Sequence, residues 1–295
     1  MRAKTDYPCV SRTYKKRGRD AGFQERGEMK AQTKWNGGQV GNYAYCVLAH
    51  NESPLTYIGT NTWVIGAPDA SGCVVVDPGP DDADHLQHVL DHIASTGKKL
   101  SAIITTHSHA DHAGGALSLS LLSGAPVLTQ VDGLLPPGQL FINDIGVTIE
   151  VIPLPGHSSD SVGFYVKQGN FILTGDVIFR QSSTMVCWPD GVLAAYMNSL
   201  DRLAHFVESH DVELLLTGHG LVIEDPEDRI IRARAHRMKR LNQVVSAVRA
   251  GIPAQADALV DALYNDVDSS LMQGARRSVN AQLRFAYDSG LLEEH

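Results

Sequence analysis

Between residues 105 and 115 the chain reads TTHSHADHAGG, which puts His107, His109, Asp111 and His112 within six residues, directly after the apolar run SAII. Imidazole and carboxylate are the side chains that bind divalent cations and move protons at neutral pH. In an extended segment, side chains two apart point to one side. On that geometry His107, His109 and Asp111 converge on one point, and His112 turns onto the element that follows. Three further candidates follow other β-rich runs: His157 in PLPGHSSD, Asp176 in ILTGDVIF and His219 in LLLTGHG. Five histidines and two aspartates are too many for one tetrahedral ion and suit two. His107, His109 and His157 would hold the first, Asp111, His112 and His219 the second, and Asp176 would bridge them, with room left for a shared water. Zn²⁺ fits this donor set, with Mn²⁺ and Fe²⁺ as substitutes.

Such ligands need a scaffold that ends several strands at one place. From about residue 61 short β-rich runs alternate with helical stretches, as in a layered α/β body. NTWVIG (61–66) and CVVVDPG (73–79) read as paired strands, and 81–95 reads as an amphipathic helix, with Leu86, Val89, Leu90 and Ile93 at spacings of three and four. SAIITTH then reads as a buried strand. Further strands are expected at 126–130, 147–153, 161–167, 170–174 and 212–217, with a helix at 193–207. After Asp225 the pattern is wholly helical. The expected organisation is a basic, disordered extension (1–28), a catalytic domain (29–225) and a small helical domain (226–295).

The chain has 295 residues, 43% of them hydrophobic, and a net charge of −8. The first 28 residues hold eight Lys/Arg against four Asp/Glu, a net +4 that leaves −12 on the remainder. A body that acidic repels polyphosphate in general. There is no apolar run long enough to span a bilayer and no secretory leader, so a cytoplasmic, membrane-free protein is expected. The four cysteines form no C-x-x-C pair and no disulfide framework.

The series HSHADH, PGH, TGD and TGHG resembles the metallo-β-lactamase superfamily. NESPLTYIGTNTWVIG (51–66), DPGP (77–80), AAYMNSLDRL (194–203) and the helical tail are similar to its β-lactamase-like protein 2 branch. The resemblance implies an αββα sandwich with a winged-helix-like C-terminal domain and a two-zinc centre built from the seven residues named above. It also implies hydrolysis by a metal-bridging hydroxide that Asp111 ligates and orients. A small ester, thioester or lactam-like substrate is expected. The alternative is metal-dependent endoribonuclease action on single-stranded RNA. The bridging Asp176 sets the chain apart from the best-known β-lactamases of this fold. A two-iron redox role would require Glu where His109 stands.

Other features have plainer readings. His85, His88 and His92 share one helical face and read as solvated. Residues 180–191, RQSSTMVCWPDG, should roof the centre, with Trp188 as a pocket wall and no nucleophilic role for Cys187. The strip RIIRARAHRMKR (229–240) reads as a charged helix face, or else as a phosphate track.

Overall fold

A computed structural model describes residues 35–264 and 269–293; the expected extension at 1–28 lies outside the described residues. Runs rich in Val and Ile pair first into a sheet of β1 (Gly38–Val40), β2 (Ala44–Leu48), β3 (Asn61–Ile65), β4 (Gly72–Val76), β5 (Lys99–Ile104) and β6 (Val127–Leu128), in that order. The second sheet runs β11-β10-β9-β8-β7, formed by β7 (Gly138–Leu140), β8 (Ile149–Pro153), β9 (Val162–Val166), β10 (Phe171–Gly175) and β11 (Leu214–Thr217). The pairs β4/β5, β5/β6 and β10/β11 are parallel and the rest antiparallel.

Alternation along each strand fills three layers. Trp63, Ile65, Val74, Val76, Ala102 and Ile104 face Ile149, Val151, Phe164, Leu173 and Leu216 between the sheets. Their neighbours Val64, Cys73, Val75 and Ile103 point outward beneath α1 (Ala83–Ser95) and α3 (Ala116–Ser123). On the far side Ile152, Tyr165, Ile172 and Leu215 pack under α4 (Leu193–His210) and α5 (Pro226–Arg249). The result is an αββα sandwich. The C-terminal region adds α6 (Ala256–Leu263) and α7 (Met272–Asp288), and no strand follows β11 among the described residues. Ile230, Ala233, Leu241 and Ala281 of this region belong to the same core as Leu200 and Leu203 of α4, so the tail is bonded to the sandwich by a shared apolar layer.

Two local expectations are corrected. The extended segment stops at His109, which caps the short helix α2 (Ala110–Ala113), so Asp111 sits in a first helical turn rather than on a strand. His85 is only 3% exposed and His92 stacks on Tyr45 with centroids 3.6 Å apart, so the face carrying His85 and His92 is not solvated. His85 lies one residue from the buried stripe of Leu86, Val89 and Ile93, close enough to its edge to be turned inward.

Candidate metal centre

All seven candidate residues come together at one end of the sandwich, where β5, β8, β10 and β11 run out into loops. His107 Nε2 lies 3.0 Å from His109 Nδ1, which is 3.1 Å from His157 Nε2. A second set gathers His112 Nε2 and His219 Nε2 at 3.2 Å, with Asp111 Oδ2 3.3 Å from His219 and 3.8 Å from His112. Asp176 touches both sets: Oδ1 is 3.2 Å from His112 and 3.5 Å from His219, and Oδ2 is 3.6 Å from His157.

These spacings are those of donors around a cation. Tetrahedral bonds of about 2.0–2.1 Å place neighbouring ligand atoms about 3.3 Å apart. Asp176 Oδ1 is buried and makes no hydrogen bond despite the two imidazoles facing it, an orphaned acceptor that a cation would satisfy. The remote ring nitrogens are held from behind. His157 Nδ1 meets Met185 O at 2.8 Å, His219 Nδ1 meets Gly59 O at 3.1 Å, and His112 Nδ1 meets Asp77 Oδ2 at 2.9 Å. A carbonyl or carboxylate can only accept, so each of these nitrogens donates, and each Nε2 faces the centre, where a cation would take its lone pair in place of any proton. The residues present therefore fit a divalent metal.

Charge in the centre follows from burial and pairing. Burial alone would raise Asp176, but His219, His112 and His157 hold its carboxyl well below the usual carboxylate range. Burial also works to raise Asp111, and the hydrogen bond from His219 and the charge on His112 outweigh it. His107 and His157 are pushed down, first by burial, and remain neutral. Burial opposes charge on His112 too, yet Asp176 and Asp77 raise it well above an ordinary imidazole. The proton those carboxylates attract is the one a bound cation would replace.

The sequence around several candidate ligands is explained by what surrounds it. A Cβ on Gly218 would lie 2.6 Å from both Asp176 Oδ1 and His112 Cε1. Gly156 has φ +136 and would bring its Cβ within 2.2 Å of the Tyr196 amide nitrogen. The loop before β3 is tied by Asn51, whose Oδ1 accepts from the Thr60 amide and whose Nδ2 donates to Thr60 Oγ1, and this fixes the Gly59 carbonyl behind His219. Asn61 joins the sheets by donating to the Thr217 and Gly220 carbonyls. Sequence reasoning missed Asp77 as a support for His112; its signal was the DPGP turn, where Asp77 adopts φ +53.

Residues 180–191 reach the site through the Met185 carbonyl behind His157. The same segment is strapped to the C-terminal helices: Arg229 donates to the Phe179 and Ser182 carbonyls, Ser183 Oγ meets His236 Nδ1 at 2.7 Å, and Trp188 and Arg277 exchange bonds through N and O. Trp188 is 37% exposed. Most arginines of the basic strip already have partners within the chain. Arg237 is buried, Arg232 pairs with Asp228, Arg234 pairs with Asp201, and Arg240 lies over the Tyr264 ring. Of these, only Arg237 is turned inward, where α5 packs against α4; Arg232 and Arg234 stay at the surface, each paired with a carboxylate.

The model of the metallo-β-lactamase superfamily matches residues 55–140 and 121–219. An atrochrysone carboxyl ACP thioesterase of Aspergillus chevalieri is 30% identical over 212 residues, covering 69% of this chain; the match spans 65% of the thioesterase's own length. A β-lactamase-like protein 2 homolog of Caenorhabditis elegans is 23% identical over 271 residues, 84% of this chain and 85% of the relative. Among solved structures, a metallo-β-lactamase family protein from Thermus thermophilus superimposes with a TM-score of 0.69 at 20% identity, covering 84% of this chain and 94% of that one. A β-lactamase domain protein from Burkholderia ambifaria gives 0.70 at 21% identity, covering 86% and 88%. At these identities the structures speak for the fold alone.

Proposed function

The chain belongs to the metallo-β-lactamase superfamily, and from that premise we propose that it is a metal-dependent hydrolase of small acyl substrates, with a thioester as the leading candidate among ester, thioester and lactam-like compounds. The observation that carries the reading is the pair of donor sets, His107/His109/His157 and Asp111/His112/His219, with Asp176 between them. Two divalent ions, zinc by the donor chemistry, are assigned to those sets. When bound they supply Lewis acidity and lower the pKa of the attacking water.

The chain's own residues do the rest. Asp111 is the more open carboxylate, 32% exposed against 11% for Asp176, so it faces the entrance. Its second oxygen accepts a hydrogen bond from the attacking water and aims it at the acyl carbon. Asp176 stays ionised and holds the two sets at fixed separation. The backing carbonyls and Asp77 keep the rings from turning, so the charge that develops on the acyl oxygen meets a site already oriented for it. No side chain forms a covalent bond to substrate. The chemistry is assigned to residues 29–225, and 226–295 carries the roof. The similarity to a protein named as a thioesterase favours a thioester over a lactam. Cys46 and Cys73, buried without disulfides, suit a reducing, cytoplasmic setting.

The test is a parallel assay of a thioester, a lactone, a chromogenic β-lactam and a fluorogenic single-stranded RNA. Thioester cleavage that chelation abolishes and zinc restores is expected. Efficient RNA cleavage with inert acyl substrates would replace this reading with the endoribonuclease one.

A further inference from the structure

Arg237 holds a buried donor that the fold does not use. Its residue is 8% exposed, its Nε is buried without a partner, and its guanidinium lies 5.4 Å from the Tyr196 ring centroid. Among the described residues no carboxylate pairs with it. A buried guanidinium is ordinarily paired, because removing its charge from water is costly and five donors need acceptors. Arg229, on the same helix, meets that requirement through the Phe179 and Ser182 carbonyls. Arg237 does not.

Its position is one layer from the metal centre. The Tyr196 hydroxyl donates to Val177 O at 2.9 Å, the residue after Asp176. Tyr57 packs edge-on against Phe179 at 5.6 Å, and Phe179 in turn lies 5.8 Å from the His219 ring. The Tyr57 phenol is raised, first by burial and then by Asp176, against the lowering by its hydrogen bond with Ser182 and by Arg229 and Arg237. The unpartnered Nε thus lies against Tyr196, on the helix whose Arg229 and His236 hold Ser182 and Ser183 of the 180–191 segment.

We propose that Arg237 forms the anion-recognising side of the substrate pocket: its guanidinium receives a carboxylate or phosphate oxygen of the substrate while the scissile carbonyl lies at the His/Asp centre. Substrate would complete the pairing that the folded chain leaves open, and the planar fork of arginine suits either oxyanion. This rests on the acyl-hydrolase reading for where the carbonyl lies, but not for the anion site itself.

The experiment uses matched pairs with zinc-loaded protein. One pair is a succinyl thioester of N-acetylcysteamine and its neutral carboxamide, which places the charge on the acyl side. The other is the acetyl thioester of phosphopantetheine and of pantetheine, which places it on the thiol side. Wild type should favour the charged member of one pair by about tenfold or more in kcat/KM, and Arg237→Gln should bring that ratio to within about twofold of one. Arg237→Lys, which keeps the charge but loses the fork, should fall between them. Whichever pair shows the effect identifies the source of the oxyanion. Thioether analogues, which lack the scissile carbonyl, are read in parallel by thermal shift: the charged analogue should stabilise wild type more than the neutral one, and the difference should vanish in Arg237→Gln. Absence of turnover with this binding preference intact would reject the hydrolase reading and leave the anion site standing. If Arg237→Gln does not fold, wild type and Arg237→Lys decide. Equal treatment of charged and neutral members by wild type, or a preference unchanged in the variants that fold, overturns the proposal.

Discussion

His112 Nδ1 lies 2.9 Å from Oδ2 of Asp77, a carboxylate 1% exposed that also accepts from the Thr106 amide and hydroxyl at 2.7 Å each. One buried group therefore ties the end of β4 to the loop after β5 and fixes the direction in which His112 presents its other nitrogen. An imidazole held in this way is a better and better-aimed ligand than one free to rotate.

Asp77→Asn tests that role while keeping size and tolerance of positive φ. Affinity for the second metal equivalent should fall about 10- to 100-fold. Competition with a fluorescent chelator measures this, and an unchanged second equivalent would show that Asp77 serves packing only.

Asp111→Asn tests the proposal that this carboxylate aims the attacking water. Turnover should drop about a hundredfold or more, with the affinity of a non-hydrolysable ground-state ligand little altered. Steady-state kinetics at saturating metal checks both halves. A loss below threefold would assign water orientation to another residue.

His85 gives the fold a pH dependence. It is buried against Thr62, with Nε2 2.9 Å from the Thr62 hydroxyl, and burial lowers its pKa to about 4. An imidazole that unfolds to an ordinary value near 6.5 takes up its proton more readily in the unfolded chain. Stability is therefore complete above about pH 6.5 and is lost as pH falls toward 4. Between pH 7 and 5 wild type should lose about 2 kcal/mol more than His85→Gln in urea unfolding. Parallel losses in the two proteins would mean that other groups govern the acid side.

Most of this architecture was legible because it rests on short-range signals. The stripe of Leu86, Val89 and Ile93 marked α1, and the Val and Ile runs marked β3, β4 and β5. His107, His109, Asp111 and His112 stood out by their crowding after a strand, and His157, Asp176 and His219 because each follows a strand beside a glycine; at Gly218 a side chain would collide with Asp176 and His112. What escaped depends on contacts distant in sequence. β1 and β7 are three residues each and gain their hydrogen bonds from β2 and β8. The burial of His85 comes from Thr62 and Gly79, and that of Arg237 from the packing of α5 on α4, neither of which a helical period discloses. Asp77 looked like a turn residue because its partners Thr106 and His112 lie 29 and 35 positions away.

The central claim is that two cations complete a single hydrolytic centre, and its most direct test is a titration of the metal-free protein with zinc, following bound metal, thermal stability and thioester cleavage together. The account predicts binding that saturates at about two equivalents per chain, activity that rises to its maximum only with the second, and a melting temperature that rises with occupancy because binding energy adds to folding energy. Saturation at one equivalent with full activity, or thioester cleavage undiminished in the metal-free protein, would contradict it.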